Sequence, residues 1–263
     1  MPQCRITVEY DGAGYHGWQV QENARSVQAE LERALNQLTG EQVRVRGASR
    51  TDAGVHARGQ TAAFPMLTSI PLGSIPAALN SRLPDDIAVV AARLEDAAFN
   101  PRRGCVRKQY SYSITVGQVR PALADGRSWH VKRRLDIEAM REAAAKFAGD
   151  HDFTSFANRE QAGGDNIRTI ERSELSLLEP DPAGRPRCVY YVEGRSFLYN
   201  MVRSIVGTLV GVGSGRFSVR DIEGMFAKRD RAAAGQSAPP WGLCLEWVLY
   251  PGDARPPDRG GLF

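Results

Sequence analysis

Ile167-Arg168-Thr169-Ile170-Glu171-Arg172-Ser173-Glu174-Leu175-Ser176-Leu177-Leu178 is followed, across an exposed turn from Pro180 to Pro186, by Cys188-Val189-Tyr190-Tyr191-Val192. Both runs read as strands, and no helix separates them. A doubly wound α/β chain places a helix at each crossover, so strands that follow one another directly favour the α+β class.

Working outward, Phe197 to Val212 reads as a mostly apolar helix, Val219 to Ala227 as another, and Leu243, Leu245, Trp247 and Leu249 alternate in a last strand. Upstream, Ile137, Met140, Ala144 and Phe147 mark a helix, and Tyr110 to Val116 alternates Tyr110, Tyr112, Ile114 and Val116 against Ser111, Ser113 and Thr115. A period of two means one buried face.

The first hundred residues have a similar mixture. Ile6, Val8 and Tyr10 alternate against Arg5, Thr7 and Glu9 in a first strand. A helix from Ser26 to Leu38 carries the apolar stripe Val27, Leu31, Ala34, Leu35 and Leu38, and Gly40 ends it. Val43 and Val45 alternate with Arg44 and Arg46 as a half-exposed strand, followed by a helix over Ile75 to Leu83 and a strand over Ile87 to Leu94. Asn100-Pro101-Arg102-Arg103-Gly104 is the best boundary, dividing the chain into 1–104 and 105–263. The tail after Pro251 reads as poorly ordered.

With 42% hydrophobic and 24% charged residues in 263, the composition is that of an ordinary globular chain. No run of about 18 apolar residues suggests a membrane span, and the opening residues lack a secretory core, so the expected address is cytoplasmic. Cys4, Cys105, Cys188 and Cys244 are scattered, as are His16, His56, His130 and His151, so neither a disulfide framework nor a metal site is expected. The net charge of +4 is unevenly spread. Arg102, Arg103, Arg107, Lys108, Arg120, Arg127, Lys132, Arg133 and Arg134 fall in one segment whose only acid is Asp125, with Tyr110, Tyr112 and Trp129 among them. Cations interleaved with aromatics suit phosphates and stacked bases, although a solvated basic face gives the same pattern.

Gly12-Ala13-Gly14-Tyr15-His16-Gly17 fits G-x-G-x-x-G, but a dinucleotide fingerprint needs a helix opening at those glycines. Here Trp18 to Asn23 intervenes, so no nucleotide cofactor is expected. Gly207 and Gly211 read as positions of close helix packing, and Gly213-Ser214-Gly215 as a helix end without the lysine of a phosphate loop.

Ser49-Arg50-Thr51-Asp52-Ala53-Gly54-Val55-His56-Ala57 carries the chemistry. An extended chain from Val43 puts Arg44, Arg46, Arg50 and Asp52 on the face opposite the valines, with Asp52 ahead of a turn that Gly54 can supply. By spacing alone, an aspartate capping its own turn beside a surface Arg is the better explanation, because Asp-x-Gly is common turn chemistry.

The segment resembles the catalytic loop G-R-T-D-A-G-V-H-A of the TruA family of tRNA pseudouridine synthases. Further matches follow in order: Tyr10-Asp11-Gly12 through Gly17-Trp18-Gln19-Val20-Gln21, Ser26 to Glu32, Lys108-Gln109-Tyr110-Ser111-Tyr112, His151-Asp152-Phe153-Thr154-Ser155-Phe156, Phe197-Leu198-Tyr199-Asn200-Met201-Val202-Arg203, and Ala238-Pro239-Pro240-Trp241-Gly242-Leu243. Together they span about residues 5 to 250. Ser49 stands where the family usually has Gly, and Trp241 where it often has His.

The resemblance implies two ferredoxin-like halves forming a continuous, antiparallel-rich sheet around a central catalytic cleft. It implies an isomerase that converts uridines of the tRNA anticodon arm, at family positions 38–40, to pseudouridine, as a homodimer and without a cofactor or metal. Asp52 matches the nucleophile, Arg203 the arginine that pairs with it, and Tyr110 the tyrosine that stacks on the uracil and moves a proton at C5. Arg50, His56 and Leu243, with Tyr110, match substrate-binding positions. Two other readings stay open: a non-catalytic RNA-binding module, and a glycoside-cleaving enzyme with Glu9, Asp11 or Asp152 as second acid.

Overall fold

The computed structural model describes residues 1–66, 69–158 and 164–262. In chain order its elements are β1 (Gln3–Tyr10), α1 (Val27–Thr39), β2 (Arg46–Gly47), β3 (His56–Pro65), α2 (Ile75–Asn80), β4 (Ile87–Glu95), β5 (Arg107–Val116), β6 (Trp129–Val131), α3 (Ile137–Ala145), β7 (Gly149–Asp152), β8 (Ile167–Leu178), β9 (Arg187–Gly194), α4 (Met201–Gly213), α5 (Asp221–Lys228) and β10 (Leu243–Leu249). The chain is mixed α and β, and its strand pairing is mostly antiparallel. It divides into two compact units, Met1–Val106 with Leu245–Pro256, and Arg107–Cys244 with the tail from Pro257. The single division expected near 104 takes no account of the late strand that joins the first unit.

In the first unit the strand order is β4-β1-β3-β10, with β2 beside β3. β1 pairs antiparallel with both β3 and β4, so Ile6 lies opposite Ala62 and Ala92. Cys4, Ile6, Val8 and Tyr10 are buried along one face of β1. α1 begins where the Ser26 hydroxyl accepts the Ala29 amide, and it stops at Gly40, whose φ of 75° is left-handed. Its buried residues are Val27, Gln28, Leu31, Ala34 and Leu35, so of the predicted stripe only Leu38 is left half-buried.

Two expectations change here. Val43 and Val45 are buried while Arg44 and Arg46 are exposed, as the alternation predicts, yet only Arg46–Gly47 pairs as strand. The Val45 backbone is held instead by α1, its amide donating to Glu32 Oε1 (3.0 Å) and its carbonyl accepting from Gln28 Nε2 (2.8 Å). β3, which follows the Asp52 turn, was not read as a strand at all. Its Gly59 is required by close packing, since a Cβ there would lie 2.5 Å from the Glu246 carbonyl oxygen of β10. Arg58 of β3 also donates to both carboxylate oxygens of Glu246, at 3.1 and 3.2 Å.

In the second unit β9 lies between β5 and β8, β7 continues on β8, and β6 is the parallel partner of β5. The predicted strands over 167–178 and 188–192 are the antiparallel pair β8 and β9, with Leu175 opposite Tyr190. The apolar run expected to be helical from Phe197 turns into α4 only at Met201, because Asn200 takes a left-handed φ of 62°. Gly207 and Gly211 do permit close approach, but not to another helix. A Cβ on Gly207 would lie 1.6 Å from the Gln236 carbonyl oxygen, and one on Gly211 2.6 Å from the Phe217 ring.

The tail is not loose. Asp253 accepts from Arg5 and Arg93, and within the second unit Asp258 accepts from Arg172 and Gln109, each at 2.8 Å. The Leu262 amide reaches the Ser113 hydroxyl at 3.1 Å. These carboxylates anchor a stretch that has little apolar content of its own. Among the described residues, no helix is long and apolar enough to cross a membrane.

Candidate active site

Asp52 lies in the turn between β2 and β3 and is half-buried. The sequence reading placed it at the end of an extended strand; it sits instead just ahead of one, because β2 is only two residues long. Its own carbonyl accepts the Val55 amide (3.1 Å), and Gly54 closes the turn with a φ of 77°. Backbone bonds from the opening glycine loop hold this turn on both sides. The Trp18 amide donates to the Thr51 carbonyl (3.1 Å), and the Gly54 amide to the Tyr15 carbonyl (3.2 Å). Beneath them the Tyr10 and Thr51 hydroxyls are 2.7 Å apart in buried surroundings.

The G-x-G-x-x-G segment thus has a structural purpose. Asp11 caps a short 3-10 turn at Gly12–Gly14, with its side chain accepting the Ala13 amide at 3.0 Å. A Cβ on Gly12 would lie 2.0 Å from the Val55 carbonyl oxygen, and one on Gly17 2.5 Å from that of Thr51. Gly17 also has a φ of 92°. Two of the three glycines exist so that the Asp52 turn can rest directly on the loop.

His56, expected as a substrate contact, is only 3% exposed at the start of β3. Its Nδ1 lies 3.1 Å from both the Gly12 amide nitrogen and Asp11 Oδ1. The Gly12 amide donates to Nδ1, and the Asp11 carboxylate lies against the same nitrogen. The ring joins the glycine loop to the strand that follows Asp52. Arg50 is exposed. Gln60, which the sequence reading missed, is fully buried on β3 and clamps the backbone of Ser49. It accepts the Ser49 amide at 3.2 Å and donates to the Ser49 carbonyl at 2.8 Å. Its position four residues beyond His56 inside an unrecognised strand left no sequence signal for this role.

The second unit carries the other expected residues. Tyr110 on β5 is 6% exposed and meets Phe197 edge-on, with centroids 5.2 Å apart and an interplanar angle of 86°. Arg203 is in the first turn of α4 and half-buried. Its Nε donates to the Ala238 carbonyl and a terminal nitrogen to Asn200 Oδ1, both at 2.8 Å, and its own carbonyl accepts the Ala238 amide at 2.9 Å. That is an oriented guanidinium, not a solvated helix-surface arginine. Tyr112 is fully buried, and its hydroxyl donates to the Pro239 carbonyl at 2.7 Å. Burial pushes its pKa far above the usual tyrosine value, although the Arg203 charge acts in the opposite direction. The 238–243 segment packs on that ring, with any Cβ on Gly242 falling 2.7 Å from it. Leu243 follows, 6% exposed, while Trp241 is 40% exposed.

The motif His151 to Phe156 is structural. His151 stacks on Phe226 with centroids 4.4 Å apart, and Phe147, Phe153 and Phe156 complete an aromatic cluster. Asp152 accepts from the Thr154 amide (3.0 Å), the Thr154 hydroxyl and Arg229. Partial burial pushes its pKa up, but these donors outweigh it and hold the carboxyl below the usual range. Of the three loose candidates for a second acid, Asp11 and Asp152 are engaged in local turns, and Glu9 is exposed on β1. Burial raises Cys4 to about 11 and Cys188 to about 12, as befits inert core thiols. Among the described residues, no three His, Cys, Asp or Glu side chains are grouped to hold a metal.

Comparison with known proteins identifies two matched segments. Residues 6–102 and 143–251 match the family model described as tRNA pseudouridine synthase. The chain is 41% identical over 250 residues to the tRNA pseudouridine synthase A of Clostridium kluyveri, covering 95% of this chain and 100% of that protein. It is 42% identical over 250 residues to the protein of that name from Acetivibrio thermocellus, and 43% over 251 residues to that from Bradyrhizobium diazoefficiens, with the same coverage. A solved archaeal box H/ACA sRNP Nop10–Cbf5 complex aligns over 87% of this chain and 59% of that one at 13% identity, with a TM-score of 0.32.

Proposed function

The chain belongs to the tRNA pseudouridine synthase family, and from that premise we propose that it isomerises uridines of the tRNA anticodon arm with Asp52 as nucleophile. The observation that carries the reading is the Asp52 turn itself: half-buried, closed by Gly54, and seated on two glycines that leave no room for a Cβ. It lies within the first matched segment.

The reaction breaks the C1′–N1 bond, turns the uracil over and joins C1′ to C5. A proton leaves C5 and one is returned to N1, so the redox state is unchanged and no hydride carrier is consumed. The step needs an ionised nucleophile, and a carboxylate with an ordinary pKa of about 3.9 is ionised at neutral pH. In water-poor surroundings that charge needs a cation, the role assigned to Arg203. Tyr110 supplies a ring face for the uracil and a hydroxyl for the proton at C5. Arg50, being exposed, can offset the cost of drawing a nucleotide from its stack, a few kcal/mol, by contacting flanking phosphates. Leu243 bounds the base, and His56 belongs to the substrate set by fixing the turn beneath the nucleotide.

The same reading gives a cytoplasmic homodimer of chains, each with two ferredoxin-like halves. The order β1-α1-β2-β3-α2-β4 within the first unit supports this for that half. Asp52→Asn is expected to bind tRNA within several-fold of the wild type and to form no pseudouridine. Turnover persisting in a tritium-release assay on 5-tritiated uridine tRNA would remove Asp52 from the mechanism.

A further inference from the structure

The positive charge of this chain is concentrated. Between Arg102 and Arg134 nine basic residues face a single acid, a net of +8, so with a whole-chain charge of +4 the remainder sums to −4. Part of that charge is used internally: Arg107 pairs with Glu171 and Glu193, Arg120 with Asp125 at 2.7 Å, and Lys108 is buried. Lys132, Arg133 and Arg134 are different. All three are exposed, and none makes an ion pair or side-chain hydrogen bond among the described residues. The nearest following acids are already engaged, Asp136 in capping α3 through the Ala139 amide (2.9 Å) and Glu138 with Arg141 (2.8 Å).

The tripeptide is also held at both ends. On one side β6 runs parallel to β5, with Val131 opposite Val116, and the Gly117 amide donates to the Val131 carbonyl at 3.0 Å. On the other, the Asp136 amide donates to the Gly213 carbonyl at 2.8 Å. Three adjacent like charges on a fixed backbone make a local concentration of positive charge that an anion from outside would relieve. The strip lies in the stretch between the two segments that match the family.

We propose that Lys132, Arg133 and Arg134 form a docking strip for the phosphate backbone of the RNA substrate, supplying affinity and taking no part in the chemistry. This rests on tRNA being the substrate. A run of cations without a carboxylate among them suits a polyanion, whose condensed counterions are released on contact.

The test is tRNA binding by fluorescence anisotropy between 50 and 300 mM KCl, for the wild type and for K132Q/R133Q/R134Q. The triple variant is expected to bind about tenfold or more weakly at low salt, with a plot of log affinity against log salt shallower by about two units. Its single-turnover rate at saturating tRNA should equal that of the wild type. K132R/R133K/R134K, which keeps the charge, should bind as the wild type does. Unchanged affinity and slope in the glutamine variant overturn the proposal. It also fails if that variant instead loses only its binding to phosphatidylserine vesicles, which would make the strip a membrane contact. Should the wild type form no pseudouridine while the glutamine variant still binds tRNA more weakly and with a shallower slope, the functional reading falls and the strip stands.

Discussion

The Asp52 turn and the Tyr110–Arg203 region solve the same problem, fixing a side chain proposed to act in the reaction, by different means. In the first unit the contacts are backbone on backbone: Thr51 and Gly54 bond to Trp18 and Tyr15, and Gly12 and Gly17 bring main chains together. In the second unit side chains do the fixing, with Phe197 edge-on to Tyr110 and Asn200 accepting from Arg203. A backbone contact cannot yield by rotating about χ angles, so the first region should be intolerant of added atoms. A side-chain contact can be shortened or exchanged, so the second should tolerate change in stability while losing function.

The sharpest way to break that contrast is Gly12→Ala. The new Cβ would lie 2.0 Å from the Val55 carbonyl oxygen, an overlap that no rotamer relieves. The turn must move or the unit must open, at a cost of at least about 3 kcal/mol. Urea denaturation and soluble yield measure this, and a variant as stable as the wild type would show that the backbone seat is softer than its geometry indicates.

A smaller loss is expected from Gln60→Ala. It removes the two hydrogen bonds that clamp Ser49 and leaves a part-buried amide and carbonyl without that partner, worth about 2 kcal/mol. Because Ser49 is three residues from Asp52, the single-turnover rate should fall as well. Gln60→Met, which fills the same space but makes neither bond, should recover part of the stability and none of the rate. Equal rates in all three proteins would confine Gln60 to the stability of β3.

The contrast also explains what could be read from the sequence. α1 was legible to within a residue at each end, because the apolar stripe and Gly40 are local signals. β8 and β9 were legible because each displays a period or a run of apolar residues. β3 was not, for His56-Ala57-Arg58-Gly59-Gln60-Thr61-Ala62-Ala63-Phe64-Pro65 has one β-branched residue and is buried on both faces, so nothing alternates. Its neighbours β1 and β10 make it a strand, and that information lies far away in the chain. The start of α4 was hidden in the same way, since the apolar run continues through Asn200 while the backbone there turns left-handed. Asp52 stood out through its ordered companions in the family pattern. Gly12 and Gly17 showed only what they were not, because the atoms that require them belong to residues about forty positions on.

Arg203→Lys is expected to have the smallest effect on stability and to separate the two regions most cleanly. The guanidinium makes directed bonds, among them those to the Ala238 carbonyl and to Asn200 Oδ1. An ammonium keeps the charge but cannot reproduce that planar fork, so about 1 kcal/mol of stability is lost. What disappears is direction, because a planar fork held at several points keeps one orientation, whereas a flexible point charge does not. If Arg203 balances the nucleophile, misaimed charge should lower the single-turnover rate on the order of 10²-fold, with tRNA affinity nearly unchanged. Arg203→Lys turning over at the wild-type rate would place the arginine among the packing residues of α4, and the second region would prove tolerant in function as well as in stability.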